Sequence, residues 1–185
     1  MMLPRAIKPV STVGRALGGF VAPVVFIVVL TLTGAVVSAR LAAAQDEFGG
    51  GPAKVVYHAD FKDPRRFSSM LTSIYNMAST YQNELRDYDV RIVFNSYGIR
   101  FLTDDPLDGT PFEIDAALQE RREDLKGRLR SLQTAYDVKL ELCDITRRQV
   151  GLSRDKVYEG VESVESGVVQ VAELQSKGFA YIKIE

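Results

Sequence analysis

Beyond position 53 the apolar residues switch between two spacings. Lys54-Val55-Val56-Tyr57-His58-Ala59 is a β-branched and aromatic run that predicts a buried strand. Asp63-Pro64 supplies an N-cap residue followed by proline at the first helical position. Behind it Phe67, Met70, Leu71, Ile74, Met77, Ala78, Tyr81 and Leu85 recur every three or four residues, a stripe that predicts a helix of about five turns. Asp89–Asn95 reads as a second strand and Ile99–Leu102 as a brief strand or turn. Thr103–Pro111, with its prolines and acids, reads as a loop. Leu118, Leu125, Leu129, Leu132 and Tyr136 predict an amphipathic helix across 114–136. Val138–Cys143 alternates as a strand should, and Ser153–Tyr158 suits one or two helical turns. Val161–Val164 is a short strand, Gly167–Ser176 a helix closed by Gly178, and Phe179–Ile184 the last strand.

Strands alternating with helices imply parallel pairing through right-handed crossovers. The expected fold is α/β: a three-layer α/β/α sandwich around a mostly parallel sheet of about five strands, in one domain over 54–185. No G-x-G-x-x-G or P-loop sequence is present, so the phosphate cradle of nucleotide-binding relatives of this architecture is missing.

The first 44 residues follow another rule. They hold Arg5, Lys8, Arg15 and Arg40 and no acid, and Phe20–Val37 is almost wholly apolar. Basic flank, apolar centre and the small residues of Leu41-Ala42-Ala43-Ala44 are the parts of a secretory signal peptide cut after Ala44. A retained membrane anchor is the alternative, since the apolar run is long enough to span a bilayer. Either way the domain is expected outside the cytoplasm, periplasmic if the leader is cleaved, and membrane-bound only if it is kept. Residues 45–53 read as a flexible leader.

Composition narrows the chemistry. The chain has 23 basic and 24 acidic residues, and four of the bases lie in the leader, so 19 bases face 24 acids in the remainder. A net-acidic domain without a basic stripe argues against a nucleic-acid partner. One Cys excludes an internal disulfide, and one Cys with one His excludes a structural Cys/His zinc cage. Asp104, Asp105, Asp108, Glu113 and Asp115 fit no calcium loop and read as a solvated acidic loop. Arg121, Arg122, Lys126, Arg128 and Arg130, beside Glu120, Glu123 and Asp124, read as a salt-bridged exposed helix face. No metal or cofactor is implied.

Ligands of open α/β sheets bind beyond the carboxyl ends of the strands. That edge holds His58, then Asn95 and Ser96, then Cys143. A thiolate is the reactive form of cysteine, and nearby guanidinium groups or N–H donors favour it. Arg147, Arg148, Thr146 and backbone amides are the candidates, whereas Asp144 opposes the thiolate if it faces the sulfur. The competing reading is a small apolar side chain at a strand end. His58 is either a general base or a hydrogen-bonded strand-end histidine.

The Lys54–His58 strand, the Val138–Cys143 strand running into Asp144–Gly151, and the tail Gly167–Ile184 with its LQSKGFAYIKI ending together resemble the DsrE/DsrF-like family over roughly 54–184. The resemblance implies a parallel α/β sandwich that assembles as a homo-oligomer, a trimer or hexamer. In the family's sulfur-relay members, the sulfur-accepting cysteine follows a strand of similar pattern and precedes a basic pair and a glycine, as Cys143 precedes Arg147-Arg148 and Gly151. By that resemblance Cys143 is the catalytic residue, carrying sulfane sulfur as a persulfide from a donor protein to an acceptor protein. The other hypothesis is a non-catalytic oligomeric protein that binds a small ligand or a partner, with Cys143 structural.

Overall fold

The computed structural model describes residues 51–185. The leader and its cleavage site lie outside the described residues, as does most of the 45–53 segment. Five strands form one parallel sheet: β1 (Ala53–Ala59), β2 (Tyr88–Phe94), β3 (Lys139–Cys143), β4 (Val161–Val164) and β5 (Ala180–Ile182), in the order β4-β3-β2-β1-β5. Between them run α1 (Pro64–Asn83), α2 (Ala116–Gln119), α3 (Arg122–Ala135), α4 (Asp144–Gln149) and α5 (Gly167–Ser176), with 3-10 turns at Ser96–Phe101 and Arg154–Lys156.

The strand order explains the layering. From β1 to β2 to β3 the chain steps one way across the sheet, and right-handed crossovers put α1 and α3 on one face. From β4 to β5 it returns, which sends α5 to the other face. Register agrees: Val55, Tyr57, Ala59, Val90, Ile92, Phe94, Leu140 and Leu142 join α1 and α3 in the large core. Val56 and Val93 point oppositely, into a small cluster with Val171, Leu174 and Phe179. That second face is otherwise polar. Arg91 binds Asp89 and Glu141 at 2.8 Å, and Gln170 of α5 donates to Glu141 at 2.8 Å. Glu141 is only 1% exposed.

Helix α1 starts as its sequence directs, with Asp63 Oδ1 accepting from the Arg65 N–H. Its stripe stops earlier than the spacing predicts. Leu85 adopts a left-handed φ of 53°, and the Arg86 N–H returns to the Tyr81 carbonyl, a closure usually left to glycine. Leu85 is therefore 93% exposed rather than part of the buried stripe.

Ile99–Leu102 takes the turn of its two readings: Ser96–Phe101 is a 3-10 turn, with fully buried Arg100 donating to the Lys62 carbonyl and to Asp115. Two other expectations need correcting. The 114–136 helix is two helices. Asp115 caps α2, the path breaks at Glu120-Arg121, and buried Arg122 donates to the Thr103 carbonyl as α3 begins. The basic face of α3 is also no purely solvated surface. Arg128 reaches Ser68 and Thr72 on α1, and Lys126 binds Asp104.

Candidate functional site

Cys143 ends β3 and occupies the N-cap position of α4. That helix escaped sequence analysis because Asp144-Ile145-Thr146-Arg147-Arg148-Gln149 carries no apolar stripe. An N-cap side chain faces the free N–H groups one turn ahead, and the backbone amides of Ile145 and Thr146 there act to lower the Cys143 pKa. The Cys143 side chain makes no capping hydrogen bond of ordinary geometry.

Helix α5 adds a third influence from across the site. Its first residue, Gly167, lies against Cys143, and its backbone amide is the strongest of the influences that lower the thiol's pKa. A side chain at Gly167 would not fit: its Cβ would lie 3.1 Å from Asn95 Cβ, 3.2 Å from Cys143 Cβ and 3.4 Å from Val93 Cγ1. The glycine lets the helix end press on the strand ends. Sequence analysis missed its role. The signal available was a glycine, not a good helix former, opening a helix after Ser166.

Two effects oppose each other at the thiol. Burial is the largest and disfavours the thiolate, since Cys143 is 4% exposed. The N–H groups of Gly167, Thr146 and Ile145, with the Thr146 hydroxyl, outweigh it and hold the thiol below its ordinary value. The edge position is as expected from the sequence, but the sulfur is enclosed rather than open to a crevice.

Asn95 and Ser96 do lie beside it. Asn95 packs at Gly167, and its Oδ1 is 2.9 Å from His58 Nε2. His58 is thus joined to the site through Asn95, with the Tyr181 ring 6.4 Å away. The Ser96 N–H donates to Thr146 Oγ1 at 3.1 Å.

The arginines are placed differently from the expectation. Arg147 Nε binds Asp144 Oδ1 at 2.7 Å and its Nη1 binds the Leu152 carbonyl at 2.6 Å. Arg148 bridges Asp144 and Glu165, keeping a weak charge attraction to the sulfur. Their main effect is indirect. Asp144 is held by Arg147, Arg148, Arg154 and Ser163, so the carboxylate next to the cysteine is engaged elsewhere. Its pKa is lowered, first by the Arg147 hydrogen bond.

The acidic loop is likewise committed to cations: Asp104 to Lys126 and Arg122, Asp105 to Lys156, Asp115 to Arg100. Among the described residues no group of three or more His, Cys, Asp or Glu side chains is arranged to hold a metal. A cavity of about 410 Å³ lies between α3 and the approach to β4, walled by Leu129, Leu140 and Tyr158. It includes none of the strand-end residues singled out from the sequence.

A model of the DsrE/DsrF-like family matches residues 54–184. Among solved structures, the protein of unknown function MTH1491 from Methanobacterium thermoautotrophicum is 25% identical, with a TM-score of 0.53. The match covers 71% of this chain and 98% of that one. The ychN protein from E. coli is 20% identical at a TM-score of 0.45, over 71% of this chain and 99% of that one. No curated protein matches the sequence.

Proposed function

The chain belongs to the DsrE/DsrF-like family, which is generally linked to sulfur relay, and on that premise we propose that Cys143 accepts sulfane sulfur and carries it as a persulfide. In the loading step the Cys143 thiolate attacks the outer sulfur of a donor persulfide. A new S–S bond forms at Cys143, the donor's S–S bond breaks, and the donor departs as a thiolate. Discharge is the same step reversed onto an acceptor thiolate, and neither direction needs an oxidant or a metal.

One observation carries the reading: the only cysteine of the chain sits at the N-cap of α4 with the Gly167 end of α5 packed against it, and the backbone amides there hold its pKa down in spite of burial. A merely structural cysteine, buried to this degree, would be expected in apolar surroundings with its pKa raised. The burial itself supports the alternative of a structural Cys143 in a binding protein, so the test must separate the two.

Exposure of the domain to polysulfide, followed by intact-mass measurement, should add one or more sulfur atoms at roughly 32 Da each, removable by a small thiol. Cys143→Ser should take up none while keeping the fold. Failure of the native protein to gain sulfur would leave the structural reading.

The setting of this activity belongs to the same proposal: an exported domain, working as a trimer or hexamer with protein donors and acceptors. No helix among the described residues is long and apolar enough to cross a membrane.

A further inference from the structure

The basic face of α3 has one member that the fold does not employ. Arg122 donates to the Thr103 carbonyl, Lys126 binds Asp104, and Arg128 reaches Ser68 and Thr72 on α1. Among the described residues the ion pairs of α3 use these three cations and not the exposed Arg130. Arg130 lies one turn beyond Lys126, at the i+4 position on the same helix face, and both line the cavity between α3 and the approach to β4.

That cavity is large, and its walls are fixed. Cores leave few voids larger than a water molecule, whereas a volume of about 410 Å³ falls in the range of small-ligand sites. Leu129 and Leu140 give it apolar walls and belong to the large core. Tyr158 is pinned twice: its N–H donates to the Leu102 carbonyl at 2.9 Å and its hydroxyl to Asp104 at 2.6 Å. Gly160 has a left-handed φ of 77°, and Gln133 fills the space a side chain there would need, with a Cβ falling 2.1 Å from its Nε2. The same Nε2 donates to the Glu159 carbonyl at 3.3 Å. The cavity is thus formed before any ligand arrives, which lowers the cost of binding.

Charge selects the class of ligand. Lys126 is paired with Asp104 and lies over the Tyr158 ring, 4.7 Å from its centre. Arg130 remains as the open cation, and a guanidinium fork suits a planar carboxylate. Glu159, on the same lining, repels a second negative charge. A single negative charge fits this balance better than a phosphate dianion.

We propose that the cavity binds a small monocarboxylate with an apolar body, its carboxylate on Arg130 and its body against Leu129, Leu140 and Tyr158. The site adjoins the starts of β3 and β4, at the opposite end of the sheet from Cys143. Such binding needs nothing from the sulfur chemistry of Cys143.

The test is calorimetric titration of the protein as recovered from its own compartment, with butanoate, hexanoate and octanoate as probes. One site per chain is expected, tightening up to about fourfold per added methylene until the cavity is filled. Octanamide keeps the apolar body and loses the charge. It should bind up to about fivefold more weakly than octanoate, the most that an exposed ion pair contributes, and Arg130→Gln should erase that preference. Inorganic phosphate should not displace octanoate. Thr134→Trp puts a large ring at an exposed position of the lining and should abolish binding while the circular dichroism stays native. Should it fail to fold, Thr134→Phe is read by the same criteria.

Absence of octanoate binding at millimolar concentration overturns the proposal, and so does octanamide binding as tightly as octanoate. Undiminished binding in folded Thr134→Trp also overturns it, because the octanoate then sits elsewhere. A wild-type protein that ignores octanoate, with Thr134→Trp breaking up its oligomer, would overturn it in favour of an interface between copies of the chain.

Discussion

Replacing Gly167 with alanine is the sharpest perturbation of the site, because it adds one methyl where α5 meets the strand ends. Optimal carbon–carbon separations begin at about 3.5 Å, so the new methyl stands roughly 0.4 Å too close to Asn95 Cβ, which it meets at 3.1 Å. Cys143 Cβ is also too close, at 3.2 Å. The strand ends are held in the sheet, whereas α5 rests on a small apolar cluster and one polar clamp, so α5 is the element that yields. Overpacking costs about 1–3 kcal/mol, and the better helix propensity of alanine offsets part of this, by at most about 1 kcal/mol. A net loss of about 1 kcal/mol should lower the melting temperature by roughly 4 °C for a domain of this size. The movement also draws the Gly167 N–H away from the sulfur. Losing one hydrogen bond to a charged group, about 1.5 kcal/mol, lowers the thiolate fraction roughly tenfold. Since Cys143 is 4% exposed, its reaction proceeds through local opening, and a loosened helix raises the opening frequency. The informative readout is therefore the inflection of the alkylation profile against pH, which should move upward whatever the absolute rate does. A lower melting temperature with an unmoved inflection would refute the reasoning and reduce Gly167 to a packing residue.

Other perturbations test the surrounding frame. Arg91→Met leaves buried Glu141 with Gln170 alone and should cost about 2–3 kcal/mol in urea denaturation, with Arg91→Met plus Glu141→Leu recovering much of it. The pKa of Asp144 is lowered in the fold, so its contribution is present above the ordinary carboxylate range and is lost as pH falls through the depressed value. Asp144→Asn should therefore lower the melting temperature near neutrality and hardly at all near pH 2, and an equal penalty at both would contradict the ion-pair account. Intact mass of the exported protein should show Gln45 as its first residue, whereas a mass retaining Phe20–Val37 would identify an anchored protein.

The layout of the fold was legible where one physical demand dominated. The α1 stripe from Phe67 to Ala78 and the bounds of Gly167–Ser176 follow from burial periodicity and from glycine punctuation. The alternation of Val138–Cys143 correctly separates Leu140 and Leu142 from Glu141 and Cys143. What the sequence hid depends on partners far along the chain. Helix α4 is polar and is positioned by Cys143 and Asp144 rather than by an apolar face. Burial of Glu141 requires Arg91 and Gln170, 50 and 29 residues away. The strand-end rule placed Cys143, Asn95, Ser96 and His58 at one edge of the sheet, where the structure does bring them together, and Thr146 sits one turn into α4. The arginines misled because their nearest acid, Asp144, claims them. Gly167 was invisible as a site residue because its contribution is an N–H group and the absence of a side chain.

The central claim is that Cys143 carries sulfur, and it is tested most directly on protein recovered from its own compartment. Rapid alkylation at harvest would trap any persulfide, and peptide mass spectrometry would locate it. The account predicts a fraction of Cys143 peptide carrying one additional sulfur between the protein and the alkyl group, lost on treatment with a reducing thiol and absent from Cys143→Ser. Recovery of Cys143 only as the unmodified thiol, under conditions that preserve persulfides on a control protein, would contradict it.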